Sequence, residues 1–396
     1  MNASTVVLFL SLFLGLQPIT TDLYLPALPA ITEGFGASMS QAQLTMTALL
    51  LSFGFSQLVW GPLSDKYGRR PVLLWGVTAY TLASLACVFV DSMAQLIFWR
   101  AVQGAAMGSP VMCARAMTRD LYAPFEGTRA MSKGLTGLGI IAFLIPALGG
   151  WLTDVAGWRS AMAASSVFGC LCLAFIAMRF KETLQQRNPH ALNPRTLLAT
   201  WSLILRHPTF WTYSVLVATA YGGLFTILFT SSFVFIKALG VSKTRYGIIM
   251  ALSSLFYVAG TFWCRWLLAR YSVQRSVWIG AFVTLASGVL MVVLHLVQID
   301  SPWAVALPFY FFMFGHGVHQ PCGQAGSSGP FPQAAGMAAA LAGFFMMVVA
   351  FINGAWLGWV MDGSVRPLVY GLAGWSVVIA LVAWTLVQRY GQQSPH

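Results

Sequence analysis

The stretch GPLSDKYGRRP, residues 61–71, is a short polar interruption between two apolar runs, each long enough to cross a bilayer. Gly61 lets two helix ends approach closely, and Gly68 permits a tight turn. Asp65 stands among Lys66, Arg69 and Arg70, an acid at a helix end where basic groups or a helix N-terminus can hold it. Outward from this loop the pattern repeats. The chain has 396 residues, of which 58% are hydrophobic and only 8% charged, too few charges to cover a water-soluble globule. Apolar stretches of roughly 20 to 28 residues recur along it. Their starts near residues 4, 41, 71, 94, 128, 158, 210, 244, 274, 301, 334 and 367 predict twelve membrane-spanning helices. The first lacks a basic leader and a small-residue cleavage site, so it reads as helix 1 and not as a signal peptide.

The formal net charge of +12 is a topology signal, not a nucleic-acid footprint. With the N-terminus inside, Lys66, Arg69, Arg70, Arg119, Arg129, Lys133, Arg179, Lys181, Arg187, Arg195, Arg206, Arg270, Arg275 and Arg389 fall on inner loops. Only Arg159, Lys237, Lys243, Arg245 and Arg366 fall outside, so both termini are expected on the cytoplasmic side. The six cysteines form no CxxC pair and are expected as free thiols.

The longest polar connection, KETLQQRNPHALNPRTLLATWSLILRH at 181–207, falls midway and reads as a linker between a bundle at 1–180 and another at 208–396. Two such halves should echo each other. After span 8, RWLLARYSVQR at 265–275 keeps the basic-Tyr-small order of the first loop, with Ala269 where the first half has Asp65.

Gly61, Leu63, Asp65, Lys66, Gly68, Arg69 and Arg70 together resemble the G-x-L-x-D-[RK]-x-G-[RK]-[RK] loop of the major facilitator superfamily. LIFWRAVQG at 96–104 is similar to its helix-4 motif, with Arg100, Gln103 and Gly104 in place. PALGG, with Pro146, Gly149 and Gly150, is similar to the end of its helix-5 antiporter motif, although Ile145 stands where that motif has glycine. TDLYLPALP at 21–29 and ARAMTRDLY at 114–122 resemble Bcr/CflA-type drug:proton antiporters. The resemblance implies an all-α membrane protein of twelve helices in two pseudo-symmetric six-helix bundles. It also implies a conformational gate at Gly61, Asp65, Gly68, Arg69, Arg70, Pro146, Gly149 and Gly150, with the helix from Pro332 brought near the 61–71 loop. Tyr24 and Asn353 match family positions that line the substrate cavity.

Of the ten acidic residues, Glu33, Asp91, Asp154, Asp300 and Asp362 read as outer-end groups and Asp65, Asp120, Glu126 and Glu182 as inner ones. Asp22 alone remains at depth. An acid in a span costs roughly 2.5 to 3.5 kcal/mol on insertion scales, so it should face a cavity and have a partner or a function. It is the natural proton carrier. Arg100 is its expected partner, since both residues sit roughly 10 Å below the outer face at 1.5 Å per residue. Their pairing would couple proton occupancy to transport; alternatively the pair only holds helices 1 and 4 together.

Tyr221, Phe225 and Phe229 recur every four residues along span 7, as an aromatic wall for a flat drug or as ordinary packing. His316 and His319 lie three apart on one face without an acid or thiol at matching spacing, which argues against a metal site. Neither GSSGP at 326–330 nor any other stretch has a GxSxG elbow, and no phosphate-binding G-x-x-x-x-G-K-[ST] loop appears, so the chain reads as neither hydrolase nor ATP-driven pump. The reading implied is a secondary active transporter and not an enzyme. It would export small, neutral drugs in exchange for protons by alternating access, as a monomer in the bilayer of a bacterial inner membrane, with no cofactor besides the proton gradient and no nucleic-acid partner. A proton-coupled carrier of one specific metabolite in the same fold is the alternative.

Overall fold

The computed structural model describes residues 2–122, 124–299 and 301–391. Asp300, read above as an outer-end acid, lies outside them. The chain divides into two compact units, Met1–Thr200 and Trp201–His396.

The first unit contains α1 (Ala3–Thr21), a 3-10 turn at Leu25–Ala27, α2 (Leu28–Gly34), α3 (Met39–Tyr67), α4 (Arg69–Ala86), α5 (Met93–Leu121), α6 (Pro124–Ala156) and α7 (Trp158–Arg179). A further helix, α8 (Pro194–Leu205), bridges the division between the units. The second unit contains α9 (Pro208–Ser232) with a π-helical extension at Phe233–Ala238, then α10 (Lys243–Leu268), α11 (Val273–Leu296), α12 (Pro302–Ser328), α13 (Ala335–Val360), α14 (Arg366–Trp384) and α15 (Leu386–Tyr390). Joined across their breaks, these make six long helical runs per unit. Among the described residues, nine runs are apolar and long enough to cross a membrane on length and composition alone. The other three, α4, α5 and α12, carry polar groups that the bundles bury, among them Arg69, Arg100, Gln103, His316 and His319.

The duplication is visible in packing. In unit 1, α3 packs on α5, α1 on α6, α4 on α5 and on α7, and α1 on α5. The same pairings recur in unit 2 as α10 on α12, α9 on α13, α11 on α12 and on α14, and α9 on α12. The fold is thus the expected one of two pseudo-symmetric six-helix bundles.

The polar connection at 181–207 holds a helix, α8, in its second half. Asn193 starts it, its Oδ1 accepting from Arg195 N–H at 3.0 Å, and the apolar run from Leu197 continues it. The interruption at 61–71 is shorter than its sequence suggests. Helix α3 runs on through Gly61 and Pro62 to Tyr67, and Gly68 alone separates it from α4. Gly68 has φ +105°, a conformation that side chains rarely adopt. Gly61 is a mid-helix residue whose added Cβ would meet only the Met112 Cε, at an ordinary 3.5 Å.

Candidate functional site

Helix α1 stops at Asp22. The Asp22 N–H still donates to the Pro18 carbonyl at 2.7 Å, but the chain then turns, and the prolines at 26 and 29 favour a restart as 3-10 turn and α2. Asp22 therefore caps a broken helix instead of lying inside a continuous one. Its Oδ1 accepts from Thr21 Oγ1 at 2.7 Å and its side chain is half-buried. Gly149 of α6 packs against this break, where a side chain would run into the Leu23 carbonyl. The neighbouring Pro146 and Gly150 are buried as well. The helix-5 motif thus lies against the residue that follows the acid.

Arg100 does not pair with Asp22. The guanidinium is fully buried, and its Nη1 donates to the Thr20 carbonyl at 3.0 Å and to Gln103 Oε1 at 2.8 Å. Nη2 donates to the Met46 sulfur at 3.2 Å, and the group lies 4.3 Å from the centre of the Tyr24 ring. Its Nε has no hydrogen-bond partner among the described residues. The depth argument brought the two residues to the same level, but the break exposes the carbonyl end of α1, and a cation satisfies orphan carbonyls at a helix C-terminus. Gln103 extends the network through Nε2 to Ser84 Oγ at 2.6 Å. The Thr20 hydroxyl meets Tyr80 OH at 2.8 Å, and Tyr24 OH meets Thr45 Oγ1 at 2.8 Å. Tyr24 is accordingly a buried strut beneath Arg100.

At the α3–α4 turn of unit 1, Arg69 is buried and lies between two acids. Its Nη1 donates to Asp65 at 2.6 Å and Ser64 Oγ at 2.7 Å, while Nε and Nη2 grip Asp120 at 2.9 and 3.2 Å. Thr183 Oγ1 donates to the same Asp120 carboxylate at 3.0 Å. Glu182 caps α4, accepting from the backbone N–H groups of Arg69 at 2.9 Å and Arg70 at 3.1 Å, where the helix dipole favours an anion. Arg70 donates in turn to the Ala177 carbonyl at 3.0 Å. Asp120, Glu182 and Thr183 were not singled out from sequence as gate residues. The sequence signals for them are their place at helix ends next to a basic loop and, for Asp120, its place in the ARAMTRDLY stretch.

In unit 2, Tyr221, Phe225 and Phe229 form a ladder on α9, with ring centres 5.6 and 5.8 Å apart. Tyr221 is half-buried while Phe225 and Phe229 are buried. Asn353 is a buried knot: Nδ2 donates to the Gly222 carbonyl at 3.1 Å and Thr226 Oγ1 at 3.0 Å, and Oδ1 accepts from Trp375 at 3.1 Å. It ties α9, α13 and α14 together. In the connection between α13 and α14, Asp362 is exposed, and hydrogen bonds from Ser364 hold its carboxyl below the usual range. Such a group stays ionised, unlike what a proton carrier requires.

The chain is 24% identical to a bicyclomycin resistance protein homolog of Haemophilus influenzae, over 97% of this chain and 96% of that protein. It is 28% identical to a chloramphenicol resistance protein of Pseudomonas aeruginosa, over 96% of this chain and 87% of that one. The structure of a D-xylose-proton symporter shares the fold, with a TM-score of 0.77 at 16% identity over 99% of this chain and all of that one. The family model described as Major Facilitator Superfamily matches residues 8–354, across both units and both the α3–α4 and α10–α11 turns, and the chain belongs to that family.

Proposed function

We propose that this chain exports small, neutral drugs across a bacterial inner membrane in exchange for protons, as a monomer with both termini in the cytoplasm. The observation that carries the reading is Asp22. It is the one acid of unit 1 placed away from the helix-end loops, at a break in a span, and the relatives above are named for resistance to bicyclomycin and chloramphenicol. A broken helix near an ionisable group is the arrangement by which carriers of this architecture handle ions within the membrane.

In this reading Asp22 takes a proton from the outer side and gives it up inside, and Thr21 orients its carboxyl. The Asp65–Arg69–Asp120 lattice, with Glu182, Gly61, Gly68 and Arg70, stiffens the inner end of unit 1 as it changes access. Pro146, Gly149 and Gly150 keep α6 close to the break. No cofactor is required. Exchange of a neutral drug for one proton moves positive charge inward, so the membrane potential supplies about 2.3 kcal/mol per 100 mV in addition to the pH gradient.

The test is export of chloramphenicol from proteoliposomes driven by an imposed pH gradient, beside a susceptibility panel of phenicols, bicyclomycin and quaternary ammonium dyes. Asp22→Asn should insert normally and lose gradient-driven export altogether. Undiminished gradient-driven export by that variant would remove Asp22 as the carrier. Strong resistance to the dyes with none to phenicols would overturn the neutral-drug reading.

A further inference from the structure

Unit 2 holds a hydrogen-bonded cluster with no charge in it. Tyr221 on α9, Tyr257 on α10 and Gln320 on α12 converge: Tyr257 OH donates to Gln320 Oε1, and Gln320 Nε2 donates to Tyr221 OH at 3.2 Å. His316, one turn before Gln320, is buried with its ring edge-on to Tyr221 at 5.1 Å and 5.9 Å from the Tyr257 ring. All three hydrogen-bonded residues remain half-buried.

Asn353 in the same unit shows what a structural carboxamide looks like. It is 4% exposed, and both its nitrogen and its oxygen are engaged, the nitrogen twice. Gln320 differs on both counts. Its two partners take one of two amide hydrogens and one of two oxygen lone pairs, and its side chain reaches the surface. A held but incompletely used carboxamide can offer one donor and one acceptor, side by side, between two aromatic rings. The charge environment narrows what it can hold. The sequence of unit 2 contains only two acids, Asp300 and Asp362, and Asp362 lies in the loop between α13 and α14. There is no anion in the α9, α10 and α12 spans to balance a cationic ligand.

We propose that Gln320, held between Tyr221 and Tyr257, is a specificity-determining residue that recognises a neutral substrate by a paired acceptor and donor, such as an amide or an adjacent hydroxyl pair. The flat part of such a substrate lies against the tyrosine rings, and Phe225 and Phe229 back Tyr221 from within. This assignment rests on the export reading for its purpose, though binding can be measured without transport. A site built to hydrogen-bond a polar group discriminates strongly, because an analogue without that group leaves polar partners unmatched.

The experiment is calorimetric binding of chloramphenicol, an amide with two hydroxyls, to the detergent-solubilised full chain, with ethidium as the cationic probe. Gln320→Leu should weaken chloramphenicol binding at least tenfold at unchanged thermal stability. Tyr257→Phe, which removes the donor to Gln320 Oε1, should weaken it by roughly threefold. Gln320→Glu places an acid in unit 2 and should gain ethidium binding while losing chloramphenicol. Chloramphenicol affinity within twofold of the parent chain in Gln320→Leu overturns the proposal, as does a parent chain that binds no chloramphenicol. Normal binding to the parent with a selective loss in Gln320→Leu, but no proton-driven export, would leave the proposal standing and refute the export reading instead.

Discussion

Around Arg69 at the α3–α4 turn of unit 1, three acids converge: Asp65 and Asp120 on its side chain, and Glu182 on its backbone N–H. At the corresponding place in unit 2 the cations find aromatic faces. Arg265 lies 4.3 Å from the Phe262 ring centre, Arg270 4.0 Å from Trp266 and Arg275 5.0 Å from Tyr271. Both loops keep the basic residues that orient a membrane protein, but only the first has the acids to build an ion lattice. The contrast extends upward through the bundles. Unit 1 buries Arg100 and carries Asp22, whereas the helices of unit 2 carry Gln320, His316, His319 and Asn353, with no acid in α9, α10 or α12. Duplication preserved the packing and let the electrostatics diverge; the proposals above place charge handling in one unit and neutral recognition in the other.

The largest expected effect breaks the lattice. The Arg69 side chain is 4% exposed and that of Asp120 13%, so Asp120→Ala leaves a buried cation with only its more exposed partner, Asp65. A cost of about 2 kcal/mol follows, below that of a fully orphaned buried charge because Asp65 and Ser64 remain. It should appear in detergent as a fall in Tm of roughly 4 to 8 °C. A shift under about 1 °C would mean that the lattice is no more important than the aromatic contacts of unit 2.

Arg100 comes next. Its fork reaches a carbonyl and an amide oxygen from one nitrogen and a sulfur from the other, a spread that the single nitrogen of an ammonium does not reproduce. Arg100→Lys and Arg100→Ala should therefore both reduce export at least tenfold in proteoliposomes. If lysine restored more than half the rate, charge near Asp22 would matter more than capping of the α1 break, and the pairing expected from sequence would regain its place.

Much of this was legible in the chain. The apolar periodicity, the inner loop and the second-half echo led to the fold and to its duplication, because burial in a bilayer leaves a strong compositional trace. Asp22 stood out for the same reason. The partners of these residues were not legible. Arg69 meets Asp120 across 51 positions and Glu182 across 113, and no local pattern encodes such contacts. A rise per residue placed Arg100 at the level of Asp22 but could not show that the break in α1 offered the guanidinium a carbonyl instead. Asn353 was visible as a polar group in a span, yet only packing shows that Gly222, Thr226 and Trp375 already occupy it.

The smallest effects lie in the second loop. Arg270→Ala removes an exposed cation–aromatic contact and should cost less than about 1 kcal/mol. Ala269→Asp supplies the acid that the first loop has at that place. It would gain a surface pair with Arg265 four residues earlier, worth about 0.3 kcal/mol, and lose a similar amount by setting an anion at the C-terminus of α10. Stability and export rate should both stay within error of the parent chain. A clear gain in either would show that an acid alone can turn the second loop into a copy of the first.

The one-residue turn at Gly68 also fixes chain length. Between α3 and α4 there is no slack: an added Cβ at Gly68 would come within 2.6 Å of Glu182 Oε2, and the flanking residues belong to helices on both sides. An insertion there must unwind a helix end or pull Arg69 away from its acids. The turn between α10 and α11 is four residues long, from Ala269 to Ser272, and all four are exposed. An epitope or a reporter peptide belongs in that second turn, where loop closure changes only slowly with length and no buried charge depends on the register.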